Sequence, residues 1–161
     1  MRVRVAGPSD VPEIVRVINA AYRVEDFFVN GNRTSDEDVQ RRMAAPGVSF
    51  LVVDAEAPGK LAAAVAVDVH DGRGHFAMLS VDPAQQGRGL GRVLIDEIES
   101  FCRSAGCTDL EIEVVNLREE LPPFYRRFGF EETGTLPFTP VEKLTRDAHL
   151  VLMSKALAQH G

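Results

Sequence analysis

The feature that most constrains the fold is a glycine-rich turn that joins a strand pattern to the strongest amphipathic helix pattern in the chain. The strand pattern ends at Val81, and the turn places glycines at positions 87, 89 and 91. After the turn, apolar residues recur every three or four positions and predict a helix over about 89–105, which ends at Gly106. These apolar residues are Leu90, Leu94, Ile98, Phe101 and Cys102. Any fold of this chain has to accommodate that strand, bend and helix in sequence.

The same turn has the chemistry of an anion site. Glycines let the backbone bend sharply and approach a ligand without Cβ clashes. The free N–H groups at a helix start, with their partial positive charge, attract anions, and Arg88 and Arg92 add two positive charges within one turn. The glycine spacing matches neither the dinucleotide-binding fingerprint nor the kinase-type phosphate loop. We therefore predict a diphosphate cradle, the alternative being a tight turn without a ligand.

The remaining patterns predict one continuous domain over residues 1–161, with no internal repeat and the order β-α-α-β-β-β-α-β-α-β-β. Strands are expected at 2–5, 48–53, 61–69, 75–81, 110–114, 129–133 and 148–153. Helices are expected at 11–22, from 34 to before Pro46, at 89–105 and at 118–128. The segment 134–140, which contains two prolines, is interpreted as a loop.

Three local signals support these boundaries. Asp10 and Glu13 have the spacing of a capping box at the start of the first helix. Thr34 with Glu37 offers a second cap. Asp71-Gly72 is a dipeptide that favours a type I′ turn, because both positions need a positive φ. The strands around that turn are predicted to form an antiparallel meander.

Composition excludes several classes of protein. With 45% hydrophobic and 26% charged residues, the 161-residue chain is an ordinary globular sequence. Its formal net charge of −6 argues against sequence-independent nucleic-acid binding. The longest apolar stretch, Leu61 to Val67, is too short to span a bilayer. Cys102 and Cys107 fit neither a disulfide scaffold nor a redox or zinc pair, so a reduced, cytoplasmic protein is predicted.

With the motifs in view, the sequence resembles the GNAT superfamily of acyl-CoA-dependent N-acyltransferases. The turn over 86–91 matches the Gln/Arg-x-x-Gly-x-Gly/Ala signature, and the Leu-x-Val-x-Pro run over 79–83 is similar to the strand that precedes it. Asn116 and the Tyr-x-x-x-Gly-Phe element within 124–130 are similar to further family elements. The resemblance covers nearly the whole chain. It implies a mixed α/β (α+β) fold with a mostly antiparallel sheet of about seven strands and four flanking helices.

The resemblance also implies which residues hold acetyl-CoA. The backbones of Leu79 and Val81 would bind the pantetheine arm in the manner of an added strand. Asn116, at the splay between the fourth and fifth strands, would contact the same arm. Amides of the bend, with Arg88, would hold the pyrophosphate, and Arg92 would approach the 3′-phosphate. The residues assigned to the bend are Gln86, Gly87, Arg88, Gly89, Leu90 and Gly91.

For catalysis, the resemblance places the hydroxyl of Tyr125 at the thioester sulfur, where it would protonate the departing thiolate. A backbone N–H at the end of the fourth strand would polarise the carbonyl. Glu113 and Glu25 are candidate general bases for the amine, with Asp26 beside them, while solvated surface carboxylates are the simpler interpretation of each. Candidate acceptor contacts are the loop aromatics Phe27, Phe28 and Phe138, for which local packing is the alternative.

The function implied is transfer of an acetyl group from acetyl-CoA to a primary amine, by direct attack in a ternary complex. The acceptor is expected to be a small molecule or a peptide, and the alternative is a non-catalytic acyl-CoA-binding sensor or scaffold. No nucleic-acid or membrane partner is expected, and a homodimer is compatible with the sequence. The acidic composition favours cationic acceptors such as polyamines or aminoglycosides, although net charge is a weak guide to one pocket.

No metal site is predicted. Four candidate ligands crowd one hairpin, but their spacing matches no standard metal centre. These residues are Asp68, His70, Asp71 and His75. Polar surface residues around a turn are the simpler interpretation.

Overall fold

A seven-stranded sheet in the order β1-β2-β3-β4-β5-β7-β6 organises the computed structural model, which describes residues 2–157. Met1 and 158–161, which belong to the predicted domain, lie outside the described residues. The strands are β1 (Val3–Val5), β2 (Val48–Asp54), β3 (Leu61–His70), β4 (Arg73–Val81), β5 (Asp109–Val115), β6 (Glu131–Pro137) and β7 (His149–Ala156). The helices are α1 (Val11–Ala21), α2 (Asp36–Ala44), α3 (Leu90–Ser104) and α4 (Leu121–Arg126). The predicted mixed α/β fold and element order are confirmed.

The sheet is antiparallel except between β4 and β5, which pair in parallel. The turn between β3 and β4 has φ angles of +50° at Asp71 and +76° at Gly72, as the predicted hairpin requires. The β4–β5 connection includes α3, which crosses over the sheet to return the chain in the same direction. The parallel pair therefore has the glycine-rich bend at the carboxyl end of its first strand.

Both faces of the sheet are covered, which explains the continuous apolar run of β3. Alternate β3 side chains enter two cores: Val65 and Val67 face the core that contains α3, and Ala64 and Ala66 face the core that contains α1 and α2. The α3 core includes Leu94, Ile95 and Ile98, and the α1–α2 core includes Ile14, Ile18 and Val39. Since the helices of the two cores lie on opposite faces, the sheet separates them into two layers.

The sequence prediction was wrong for segment 134–140, whose first four residues belong to β6. This strand is the sheet edge, and all seven of its residues are exposed. An edge strand tolerates Pro137, because one side of it needs no ladder hydrogen bond. The register with β7 shifts between Glu132 and Gly134, which marks a bulge at Thr133. With neither face buried, β6 lacks the alternating apolar pattern that identifies a strand.

The first predicted helix cap is also corrected. The Asp10 carboxylate accepts from the Gly7 N–H at 2.8 Å and pairs with Arg4 at 2.9 Å. Glu13 instead accepts from the Leu61 N–H at 2.9 Å and pairs with Arg16 at 2.7 Å. The two carboxylates therefore connect the start of α1 to neighbouring segments of the chain. The capping box that their spacing predicted, with each residue capping the other, is not formed.

Two helix starts differ from the sequence prediction in detail. For α2 the cap is Ser35, which accepts from the Asp38 N–H at 3.2 Å, while the Thr34 hydroxyl donates to the Asp38 carboxylate at 2.7 Å. The fourth helix is shorter than predicted and begins at Leu121, beside the Pro122-Pro123 pair. Proline is tolerated in a first turn, where the N–H has no intrahelical partner.

Candidate active site

The candidate site begins where β4 and β5 separate. Their parallel pairing covers three positions, from Arg73 opposite Asp109 to His75 opposite Glu111. Beyond it, β4 continues to Val81 without a ladder partner on its β5 side among residues 2–157. Leu79 and Val81 lie on this edge, where the sequence predicted contacts to the pantetheine arm. An unpaired strand edge offers backbone donors and acceptors to an extended ligand.

A bulge in β4 widens the gap. Ala64 pairs with Ser80 and Ala66 with Ala77, so that Val65 alone faces the two residues Met78 and Leu79. Met78 has a φ of +58°, unusual for a residue with a side chain, and it is 2% exposed. Such a bulge redirects the backbone groups beside it. It lies on the strand next to the gap, where the sequence predicted a carbonyl-polarising N–H.

The glycine-rich bend supplies unsatisfied amides. Gly87 and Gly89 have φ angles of +85° and +74°, and Gly89 is the N-cap of α3 with no side-chain cap. Within residues 2–157, no protein acceptor takes a hydrogen bond from the N–H groups of 89–92, at the start of α3. A Cβ on either Gly87 or Gly89 would meet no atom within 4 Å, so open space lies next to the bend. These amides are arranged to receive an anion.

The two arginines of the bend have different surroundings. Arg88 donates to the Gln85 side chain at 2.6 Å and lies 3.9 Å from Glu56, and all three groups are at the surface. The Arg92 guanidinium carbon lies 5.7 Å from the centre of the Phe128 ring. Arg88 therefore remains beside the bend, whereas Arg92 is directed toward the α4 end of the layer.

Asn116, at the end of β5, is held by β7. Its side-chain oxygen accepts from the His149 N–H at 2.8 Å, and its own N–H donates to the His149 carbonyl at 2.9 Å. Its side-chain NH₂ group is left for the ligand arm predicted from the sequence. The residue thus fixes the end of β5 beside the gap.

Tyr125 lies in an aromatic environment at the bottom of the gap. Its ring centre is 5.1 Å from that of Phe124, 5.7 Å from Phe130 and 6.1 Å from Phe76, and the residue is 6% exposed. Burial raises the pKa of the Tyr125 hydroxyl, with a smaller contribution from Tyr22 and an opposing one from Arg118. The hydroxyl therefore keeps its proton throughout the neutral range.

Two cavities meet at the gap. The larger, about 830 Å³, is lined from the segment after α1, the start of α2 and the loop after β6, and the smaller, about 110 Å³, includes Tyr125 and Leu79. They share eight lining residues and are therefore contiguous. The shared residues are Tyr22, Glu25, Arg33, Ala77, Met78, Glu113, Phe138 and Leu150.

Both candidate bases line these cavities, in different environments. The Glu113 carboxylate forms a short hydrogen bond with His75 Nε2, and this bond lowers the pKa of Glu113. Burial alone would lower the pKa of His75, but Glu113, Asp68 and Glu111 outweigh it and raise that pKa. Glu113 is therefore ionised at neutral pH and has a titratable neighbour.

Glu25 is the more buried of the two carboxyl groups. Burial raises the pKa of Glu25, while Arg118, 3.0 Å away, opposes the rise. It lies in a 3₁₀ turn directly after α1 rather than in an irregular loop, and Arg118 joins that turn to the segment before α4. Asp26, at the end of the same turn, lines the larger cavity only.

The three aromatic residues predicted to contact the acceptor lie in different environments. Phe138 lines both cavities. Phe28 is fully buried, so its role is packing and the acceptor contact expected from the sequence is corrected. Phe27 is 48% exposed, but it makes an edge-to-face contact with Phe28, lies beneath the Arg146 guanidinium and lines neither cavity. One of the three aromatics therefore faces the site.

Several site residues were missed by sequence reasoning. Tyr22 was assigned only to the apolar face of the first helix, yet it lines both cavities beneath the Arg33 guanidinium, 5.3 Å away. Arg118 and His75 act through partners that are 93 and 38 residues distant in the chain. No local spacing signals such pairs, because they depend on which strands and turns become neighbours.

The hairpin histidines have separate partners. His70 Nε2 lies 2.7 Å from Asp68, and His75 bonds Glu113 on the next strand. Among residues 2–157, no group of three or more His, Cys, Asp or Glu side chains is arranged to hold a metal ion. Over the same range, no helix is both long and apolar enough to cross a membrane.

Comparison with known families gives a match over most of the chain. A family model described as an acetyltransferase (GNAT) domain matches residues 19–139. That range includes the β4–β5 gap, the glycine-rich bend and Tyr125.

Individual proteins agree with this match. The IAA acetyltransferase of Azospirillum brasilense is 32% identical over 98 residues, which are 61% of this chain and 63% of that protein. Glucosamine 6-phosphate N-acetyltransferase 1 of Oryza sativa subsp. japonica is 39% identical over 99 residues, 56% of this chain and 58% of that protein. The chain spans less than two thirds of the length of each of these relatives.

The fold is shared with solved acetyltransferase structures. The ribosomal-protein-S18-alanine N-acetyltransferase from Escherichia coli superimposes with a TM-score of 0.80, over 99% of this chain and 96% of the other. Sequence identity in that pair is 18%, so the agreement concerns the fold.

Proposed function

This chain belongs to the GNAT acetyltransferase family, and from that premise we propose that it transfers an acetyl group from acetyl-CoA to a primary amine. The observation that carries the proposal is the continuity of one path. The glycine-rich bend follows the free edge of β4 in the chain, and Leu79 on that edge lines the smaller cavity together with Tyr125 and Glu113. A donor held along that path would present its acetyl group to the cavity.

The residues present fit acetyl-CoA. The left-handed glycines leave open space beside the bend, so its amides and Arg88 would hold the pyrophosphate, and Leu79 and Val81 would bind the pantetheine arm as an added strand. The side-chain NH₂ of Asn116 is available to the same arm. When bound there, acetyl-CoA supplies an acetyl thioester.

An attacking amine must be neutral, so the chain has to accept a proton from it. Glu113 fits this role because it is ionised, lines the cavity, and has His75 on one oxygen, which leaves the other for the amine. Glu25 is the second candidate, since its raised pKa makes it the stronger base while Arg118 restrains it. Either carboxylate would orient the amine toward the gap.

The remaining groups serve the transfer itself. A backbone N–H at the β4 bulge would polarise the carbonyl oxygen. The N–C bond forms as the C–S bond breaks, without a covalent enzyme intermediate. The carboxylate would take one proton from the ammonium group before attack; afterwards the Tyr125 hydroxyl would give its proton to the departing sulfur, and the second proton of the attacking nitrogen would restore the phenol. Burial raises the pKa of the Tyr125 hydroxyl, so the phenol is protonated at neutral pH but is a weak acid, and its position at the sulfur would have to carry the role.

The test is release of CoA thiol by the full chain, supplied with acetyl-CoA and a panel of small-molecule and peptide amines. The expected result is release that depends on the amine and yields its acetyl product by mass spectrometry. Calorimetric titration with CoA provides the control for cofactor binding. If CoA binds but no amine causes release, the chain is a binding module and the proposed activity is wrong.

A further inference from the structure

The larger cavity is more positively charged than the protein around it. The whole chain has a formal net charge of −6, yet five basic side chains and four carboxylates line this cavity, apart from His75. The basic residues are Arg23, Arg33, Arg41, Arg42 and Lys143, and the acidic ones are Glu25, Asp26, Asp38 and Glu113. The charged residues of the cavity lining are therefore positive in sum, whereas the molecule as a whole is negative.

Each of the four carboxylates already has a basic partner within the protein, with Arg23 4.0 Å from Asp26 and His75 bonded to Glu113. Asp38 lies 2.6 Å from Arg41 and 3.1 Å from Arg42, so two guanidinium groups share one carboxylate. Glu25 is paired with Arg118, which does not line the larger cavity. An acceptor entering here therefore meets less negative charge than the number of carboxylates suggests.

Arg33 is the cation best placed near the reacting groups. It lines both cavities, together with Glu113, whereas the other four basic residues line only the larger one. Its guanidinium rests on the Tyr22 ring, and no carboxylate of residues 2–157 lies within 4.0 Å of its nitrogens. A guanidinium held on an aromatic face keeps its edge donors available for a bidentate anion.

We infer that the acceptor carries a carboxylate or phosphate close to its amine, and that Arg33 binds this anionic group. The inference rests on the proposed function and names its substrate class. The amine end would face Glu113 while the anionic end meets Arg33, so the cavity matches a molecule with charges of both signs. Its volume of about 830 Å³ is within the usual range for small-molecule sites.

This inference replaces the preference for polyamines and aminoglycosides that net charge indicated. A polycation would bring further positive charge toward Arg33, which has no ion pair within 4.0 Å among residues 2–157, while Glu25, whose charge Arg33 also stabilises, is already paired with Arg118. Like charges brought together in a partly buried site disfavour binding. The charge within the cavity determines which acceptor is preferred, because surface charges farther away than about 8–10 Å are screened at physiological salt.

The experiment compares kcat/KM for matched amines with the full chain and saturating acetyl-CoA. Glucosamine 6-phosphate is set against glucosamine, phenylalanine against phenylalaninamide, and spermidine serves as the polycation. The anionic member of at least one pair is expected to be preferred by about 10- to 100-fold, the range for a hydrogen bond to a charged group. Preference within the sugar pair identifies phosphate, and preference within the amino-acid pair identifies carboxylate.

Variants then connect the preference to Arg33. In Arg33→Gln, KM for the preferred anionic amine should rise about 10-fold or more while KM for its neutral analogue changes little. Arg33→Lys should retain part of the preference, because charge remains without the planar fork. Arg127→Gln is the control, since Arg127 is exposed and lines neither cavity. A merely structural role of Arg33 would alter both members of a pair equally.

The outcomes separate the two proposals. Turnover that favours neutral or polycationic amines, or a preference that survives Arg33→Gln, overturns the inference and leaves the acetyltransferase activity intact. No turnover with any amine, although CoA binds, overturns the activity and the inference with it.

Discussion

Tyr125 shows how the surroundings of one residue can suit it to one chemical task. Its ring is fixed by three phenylalanines, and burial raises the pKa of its hydroxyl. The ordinary pKa of a thiol is near 8.5, below the value of about 10 for a phenol. A phenol is therefore a weaker acid than the thiol that forms when it protonates the thiolate. Position at the sulfur, rather than acidity, is therefore what Tyr125 would contribute.

Replacing Tyr125 with Phe should lower kcat by about 10²- to 10⁴-fold, the usual contribution of a positioned proton donor. The affinity for CoA and the melting temperature should change little, because the ring and its packing remain. Stopped-flow or steady-state release of CoA thiol measures the first quantity, and calorimetry and thermal unfolding the others. Normal turnover by Tyr125→Phe would exclude Tyr125 as the acid.

The two candidate bases can be separated by matched substitutions. Glu113→Gln should reduce kcat/KM by about 100-fold or more, because the amide cannot accept the amine proton. Glu25→Gln should reduce it less, since Arg118 restrains that carboxylate. Kinetics of both variants between pH 6 and pH 9 give the comparison. A larger loss in Glu25→Gln would assign the proton to Glu25.

The His75–Glu113 pair should also make stability depend on pH. Because the pKa of Glu113 is lower in the folded protein, its ionised carboxylate stabilises the fold. This stabilisation is present above the unfolded pKa of about 4.3 and is lost as the pH falls through the folded pKa. Because the pKa of His75 is higher in the folded protein, its protonated imidazole stabilises the fold. This stabilisation is present below the unfolded pKa of about 6.5 and is lost as the pH rises through the folded pKa. The pair therefore stabilises the fold most near pH 6.

Thermal unfolding of Glu113→Gln tests this linkage. The loss of melting temperature relative to the wild type should be larger at pH 6 than at pH 9. Glu97→Gln, on an exposed part of α3 with no ion pair among residues 2–157, should show no such difference. Equal losses at both pH values would mean that the pair is not charged in the folded protein.

At the scale of elements, the bend before α3 depends on one backbone conformation. Gly89→Ala should destabilise the fold by about 1–2 kcal/mol, because its φ of +74° disfavours a residue with a Cβ. A shift of the bend should also weaken CoA binding through misaligned amides. Gly91→Ala is the matched control: its φ is not in the left-handed region, and an added Cβ would lie 3.7 Å from Phe124, an ordinary contact.

Denaturant unfolding and CoA titration measure both effects. If Gly89→Ala binds CoA as tightly as Gly91→Ala does, the conformation of the bend is not what holds the pyrophosphate.

Elements that bury one clear face could be predicted from the sequence, and those that do not could not. The α3 helix runs from Leu90 to Ser104, close to its predicted limits, because its apolar residues repeat at helical spacing. The exposed β6 has no such pattern. In the site, the bend and Tyr125 carried local motifs. Arg33 became a candidate only once its neighbours, Tyr22 and the cavity walls, were in place.

For the whole molecule, CoA should act as a stabilising ligand. A ligand at 100 times its Kd that binds only the folded state adds about 2.7 kcal/mol to the free energy of unfolding. For a chain of this length that corresponds to a rise of several degrees in melting temperature. Differential scanning calorimetry with CoA, and with adenosine as the control that lacks a diphosphate, measures the rise. An equal response to both would contradict a pyrophosphate site at the bend.

The sheet, which has a core on each face, would also separate the acetyl donor from the amine acceptor. Under the proposed function, the bend before α3 would hold the donor beside the parting of β4 and β5, and the segments around α1 and α2 would form much of the acceptor side. Substitutions within 22–45 would then change much of the acceptor lining while leaving the residues of the glycine-rich bend unchanged.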